Sequence, residues 1–137
     1  MLNKLNKGRA GFTLVEIMIV VAIIALLAAI AVPGFLRARK RSQASRIIND
    51  LRLIDAAVDQ YAIETNRQSG ATVNTTDWTA YLKKGSALYN TGKDLFGNSY
   101  GSQIVDSLPK TASGPSSTFN AISDVADVNF FSPYGTQ

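Results

Sequence analysis

The chain has 137 residues, a formal net charge of +4, no cysteine and no histidine. Those absences exclude disulfide staples, thiol nucleophiles, histidine bases and Cys/His zinc sites. The positive charge is unevenly placed. Lys4, Lys7 and Arg9 precede an apolar run, Arg37, Arg39, Lys40 and Arg41 follow it, and from Ser42 onward seven Lys/Arg meet nine Asp/Glu. The basic balance therefore reports the flanks of a membrane-seeking segment, and nucleic acid is not an expected partner.

Residues 1–11 are short, basic and free of acid, which fits a targeting leader. Phe12 to Leu36 is a run of twenty-five residues with one formal charge, Glu16. As a helix this run rises about 37 Å, against a bilayer hydrocarbon core of about 30 Å. Three readings compete: a cleaved secretory signal ending at the small-x-small Ala29-Ile30-Ala31, a plain uncleaved anchor, and a processed anchor that also assembles laterally. Glu16 argues for the third. A carboxylate at mid-membrane costs roughly 2.5–3.5 kcal/mol, and it becomes tolerable when it meets a cation in the same low-dielectric layer. Basic residues on both flanks leave the positive-inside count close to neutral, so the count does not set the orientation.

Gly11-Phe12-Thr13-Leu14-Val15-Glu16, after its basic leader, closely resembles the class III signal of type IV pilins and type II secretion pseudopilins. The distance from Phe12 to Pro33 is also similar to that family's. The resemblance implies that a prepilin peptidase cuts between Gly11 and Phe12 and methylates the new Phe12 amine. It further implies that Glu16 pairs with the Phe12 amine of a neighbouring subunit. The implied partners are the peptidase, identical and related pilin subunits, an inner-membrane assembly platform and the lipid bilayer. The leader would stay cytoplasmic and the C-terminal domain would be periplasmic, later part of a filament. Phe12 and Glu16 are four apart on one helix face, so a contact within one chain is open as well.

Val32-Pro33-Gly34 predicts an interruption, because proline removes an internal hydrogen bond and glycine adds freedom. Arg37 to Arg41 would lie at the membrane–water boundary among anionic headgroups. From Ser42 to about Asn66, Ile47, Leu51, Ile54, Val58 and Tyr61 make one apolar stripe, which predicts a helix continuing from the membrane segment and docked on a core. Gln68-Ser69-Gly70 ends it. Thr76 or Asp77 is the expected cap of a short helix carrying Trp78, Tyr81 and Leu82, closed by Lys83-Lys84-Gly85.

Beyond this the chain is rich in turns: Asn90-Thr91-Gly92, Phe96-Gly97-Asn98, Gly101, Pro109 and Ser113-Gly114-Pro115-Ser116. Tyr100 to Val105 reads as a strand with Ile104-Val105 its buried end. Thr118 to Val125 fits a helical turn as well as a strand, and Phe130, Phe131 and Tyr134 form a closing apolar strap. Asp94 to Tyr100 is similar to the Asp-x-x-Gly-Asn-x-Tyr turn of major secretion pseudopilins, although Gly-Asn turns are common. Asp124 and Asp127 resemble the calcium loop of the same proteins and are the candidate ligands of a calcium ion, with Ser123 and carbonyls completing the oxygens.

The expected architecture is α+β and pilin-like. It comprises a cleaved leader (1–11), a transmembrane and filament-core helix (12–36), its amphipathic continuation (37–66), and a small domain of short antiparallel strands, a short helix and loops (67–137). The expected role is a structural subunit of a type IV pilus-like filament. The domain is small, lacks the C-terminal disulfide usual in adhesive pilins and has the Gly-Asn turn, which leans toward a major pseudopilin of type II secretion. A type IV pilus subunit is the near alternative, and a monomeric membrane-anchored binding domain is the alternative of another class. Catalysis is not expected: carboxylates are scattered, and no phosphate loop or nucleophile elbow appears.

Overall fold

A computed structural model describes residues 11–114 and 117–136. The leader up to residue 10 and the Pro115-Ser116 half of one expected turn lie outside them. The chain divides into two compact units, residues 1–36 and 37–137. The long helix α1, Leu14–Thr65, contributes to both.

In the first unit α1 is apolar on every side, and every residue from Gly11 to Leu36 is exposed. It contains a stretch long and apolar enough to cross a membrane. Pro33 lies inside α1, so the interruption expected at Pro33 and Gly34 is absent here. Proline deletes only one amide donor, and strong helix formers such as Ala28, Ala29, Leu36 and Ala38 continue the ladder on either side.

The second unit has its own core. From Arg37 onward α1 turns one stripe inward, burying Ala44, Ile47, Leu51, Ile54, Ala57, Val58 and Ala62. The large members match the expected periodicity, with Tyr61 half-buried at its end. The helix stops before Asn66, whose φ of 52° is left-handed, a conformation that asparagine tolerates through its short polar side chain.

Strand content is small. β1 (Thr72–Val73) pairs antiparallel with β2 (Gln103–Ile104) in the register Thr72↔Ile104, Val73↔Gln103. The expected strand Tyr100–Val105 thus shrinks to two residues, and its expected buried end is half right: Val105 is buried while Ile104 is 47% exposed. The two-residue period explains this, since Gln103 and Val105 share the inner face and Ile104 takes the outer one. Buried Gln103 is satisfied because its side-chain N–H donates to the Tyr100 carbonyl at 2.8 Å.

Three single-turn helices complete the unit. α2 (Thr75–Thr79) is capped by Asn74, two or three residues earlier than expected, and the Asn74 N–H donates to Asp77 Oδ2 at 3.2 Å. It also ends before Lys83-Lys84-Gly85. α3 (Ala87–Thr91) forms where only turns were expected. Ser86 accepts the Tyr89 N–H at 3.1 Å to start it, and Gly92, with φ 60°, ends it. A Cβ on Gly92 would come within 2.6 Å of Thr75 Cγ2, so both backbone and space require glycine there. α4 (Thr118–Ile122) resolves the Thr118–Val125 ambiguity as helix, with Ser117 accepting the Asn120 N–H at 3.3 Å.

Trp78 and Phe131 are fully buried against the α1 stripe and Ile122. The Trp78 indole N–H donates to the Gly101 carbonyl at 3.0 Å, the partner that a buried indole requires. Phe131 packs edge-to-face with Phe119 and Phe130 at 6.2 and 5.5 Å between ring centroids. Truncating Phe131 to alanine should cost about 3–5 kcal/mol of stability. Denaturation followed through Trp78, the one tryptophan, should show the lowered midpoint, and an unchanged midpoint would mean that Phe131 does not close the core.

Candidate functional site

Gly11, Phe12 and Thr13 precede the first helical turn, carry no regular structure and are exposed. Phe12 is 84% exposed. The bond between Gly11 and Phe12 therefore lies in an exposed stretch without regular structure.

Thr13 determines where the helix begins. Its N–H donates to Glu16 Oε2 at 2.7 Å, and the Glu16 N–H donates to Thr13 Oγ1 at 3.2 Å. This reciprocal pair is a capping box, which satisfies two of the amides that a helix start leaves unpaired. The carboxylate also lies at the positive end of the helix dipole. The expectation for Glu16 concerned an amine, of its own chain or a neighbour's. In the single chain its partner is the Thr13 backbone. Thr13 was the functional residue that pattern reading missed, although Thr-x-x-Glu before an apolar run is its signature.

Asp124 and Asp127 occupy the turn after α4, and both are held by nitrogen donors. Lys40 Nζ donates to Asp124 Oδ2 at 2.8 Å. Asp127 accepts the Phe130 N–H at 3.0 Å and the Asn129 amide at 3.3 Å. Among the described residues no three His, Cys, Asp or Glu side chains gather where an ion would need them. In this arrangement Lys40 supplies the positive charge at Asp124.

The Asp94–Tyr100 segment is built more firmly than a surface turn. Asp94 is buried. Its Oδ1 accepts the N–H groups of Phe96 and Asn98 at 2.9 and 2.8 Å, and its Oδ2 accepts the Thr118 hydroxyl. Asn98 Nδ2 also donates to Thr118 Oγ1 at 3.1 Å. One carboxylate thus closes the turn and ties α4 to it. At the end of the turn, buried Tyr100 directs its hydroxyl toward Asp50 Oδ2 on α1, at 3.4 Å. Burial pushes the Tyr100 hydroxyl far above its ordinary range, with the Asp50 and Asp94 charges adding to it. Burial likewise raises Asp50, partly opposed by Arg46.

Residues 6–32 match the family described as the prokaryotic N-terminal methylation motif. The chain is 42% identical over 67 residues to a type IV major pilin protein of Myxococcus xanthus, covering 49% of this chain and 30% of that protein. It is 35% identical over 88 residues to a fimbrial protein of Pseudomonas aeruginosa, covering 64% of this chain and 57% of the relative. It is 30% identical over 62 residues to the type II secretion system core protein G of Aeromonas hydrophila, covering 45% of this chain and 43% of the relative. The chain thus spans between 30% and 57% of the length of these relatives. No solved structure matches it. The resemblance to type IV pilins and type II secretion pseudopilins is shown, carried by the segment that contains Gly11, Phe12 and Glu16.

Asp124 and Asp50, two of the aspartates with shifted acidity in the second unit, are shifted in opposite directions. Lys40 lowers Asp124 below the ordinary aspartate value of 3.8, so its contribution to stability is present above that value and is lost as pH falls through the lowered one. Asp50 is raised, so its folded form is favoured at low pH and stability is lost as pH rises from 3.8 through the raised value. Asp124→Asn should flatten the loss of stability at acid pH. Asp50→Asn should be more stable than the parent at neutral pH, with the advantage vanishing below the ordinary aspartate range. Denaturant midpoints measured from acid to neutral pH test both; parallel profiles would contradict them.

Proposed function

We propose that this chain is a structural subunit of a type IV pilus-like filament, and more narrowly a major pseudopilin of a type II secretion system. The observation that carries the filament reading is the first half of α1. It is apolar all round, entirely exposed, and begins at the Thr13–Glu16 capping box, directly after a reachable Gly11–Phe12 bond. A helix of that kind cannot remain in water. It needs lipid before assembly and the same helices of other copies afterwards.

In this reading a prepilin peptidase cuts between Gly11 and Phe12 and methylates Phe12. The leader faces the cytoplasm, the second unit faces the periplasm, and an inner-membrane platform extracts the mature subunit. Glu16 then leaves Thr13 for the Phe12 amine of a neighbour. The built Asp94–Tyr100 turn supports the pseudopilin choice, because it is the part of the second unit similar to those proteins. A type IV pilus subunit is the second reading, supported by the 88-residue match to a fimbrial protein.

The mature chain should begin at Phe12 on N-terminal sequencing, and Gly11→Val should leave uncut precursor in the membrane. Glu16→Ala should be processed but lose assembly into sedimentable filaments. A mature chain starting at Val32 means ordinary secretion and ends the proposal, as does normal assembly of Glu16→Ala. Deleting the gene should abolish export of secreted proteins if the pseudopilin choice is right; loss of surface filaments with export intact favours the pilus.

A further inference from the structure

We propose that a groove beside the second half of α1 receives the turn at residues 127–130 of a second copy of this chain. The inference rests on the filament reading and names surfaces of the second unit that would meet within it. The groove has a volume of about 620 Å³ and lies between α1 and the 81–95 segment. Leu53, Ala56, Leu82, Leu88 and Leu95 give it an apolar lining. Leu53 is 45% exposed although it sits in the middle of the packed part of α1.

The charge at the groove is sorted by position. Its exposed charges, Arg46, Lys83 and Lys93, are all basic. The two acids that line it are turned to internal partners: Asp50 toward Tyr100, and Asp94 toward two amides and Thr118. Neither Lys83 nor Lys93 forms an ion pair among the described residues. The groove therefore presents cations around an apolar floor and suits an occupant with one apolar side chain beside an anion.

The chain carries such an occupant. Asp127 is exposed, Val128 is 54% exposed and Phe130 is 36% exposed. The Phe130 N–H bonds to both the Asp127 side chain and its carbonyl, at 3.0 and 3.1 Å, so the turn is already ordered. Ordering before contact removes part of the entropy cost of association, and Asp127 complements the basic rim. Groove and turn share no residue. One contact therefore leaves a free turn on one copy and a free groove on the other, which is the head-to-tail logic of an open assembly. A contact this small is below the size of a stable dimer interface. It acts between subunits already aligned by their N-terminal helices, where the effective concentration is high.

The parent has no cysteine, so introduced thiols are unambiguous. Leu53→Cys and Val128→Cys chains, co-assembled and treated with a short bifunctional thiol reagent, should give a linked dimer that neither variant gives alone. The double variant should give a ladder of dimer, trimer and higher species. Val128→Lys, which sets a cation against the basic rim, should lose sedimentable filament, while Val128→Leu keeps it. Electron microscopy of the same samples separates this inference from its premise. Filaments without the 53–128 link, a dimer without a ladder, or full assembly of Val128→Lys overturns the groove contact and leaves the filament reading standing. A parent chain that forms no filament overturns both.

Discussion

Apolar surface on α1 is the constraint on which the rest of the structure depends, and the helix meets it in two ways. Between Ala44 and Ala62 the apolar residues keep to one stripe, and the following seventy residues cover it. Between Leu14 and Leu36 they encircle the helix and stand exposed among the described residues. Each buried Leu or Ile contributes about 1.5–3 kcal/mol relative to exposure, so a full turn of such residues left in water is untenable. The second unit is a self-contained solution; the first is a demand for other molecules.

The covering of the stripe uses little regular structure. Two strands of two residues and three single-turn helices cannot stabilise one another through backbone ladders alone. Side chains that bond to backbone take that part. Asp94 gathers two amides and the Thr118 hydroxyl, Ser86 and Ser117 start α3 and α4, and Trp78 reaches the Gly101 carbonyl. These contacts fix the loops over the stripe, while Trp78, Phe131 and Ile122 supply the buried volume. Asp94 is the most demanding member, since removing a buried acceptor strands every donor directed at it.

What could be read in the residues follows from range. The α1 stripe was legible because helical periodicity is local and repeats over five turns. The strap at Phe131 and the anchor at Trp78 were legible because large apolar residues in a small domain have few other places to go. Ile104 was misassigned because two residues of strand give no period to count, and the partner that sets its face, Thr72, lies 32 positions away. α3 was missed because its signals, Ser86 and Gly92, sit among other turn formers. The Lys40–Asp124 pair spans 84 positions and leaves no local trace. Pro33 lies inside α1, where helix formers on either side carry the ladder past it in the single chain.

Glu16 joins the local and the assembled states. In the single chain it is bonded to the Thr13 amide, a charge-assisted hydrogen bond. Assembly in the proposed filament is therefore not the rescue of a stranded charge but an exchange of partners. The ion pair must exceed the cap it replaces, and in a low-dielectric layer it does so only with close geometry and a full positive charge opposite. In the uncut chain the Phe12 nitrogen is an amide and carries no charge. In the proposed reading, cleavage between Gly11 and Phe12 would create the cation one residue from the cap. Until then the capping box would keep Glu16 bonded to the backbone of its own chain.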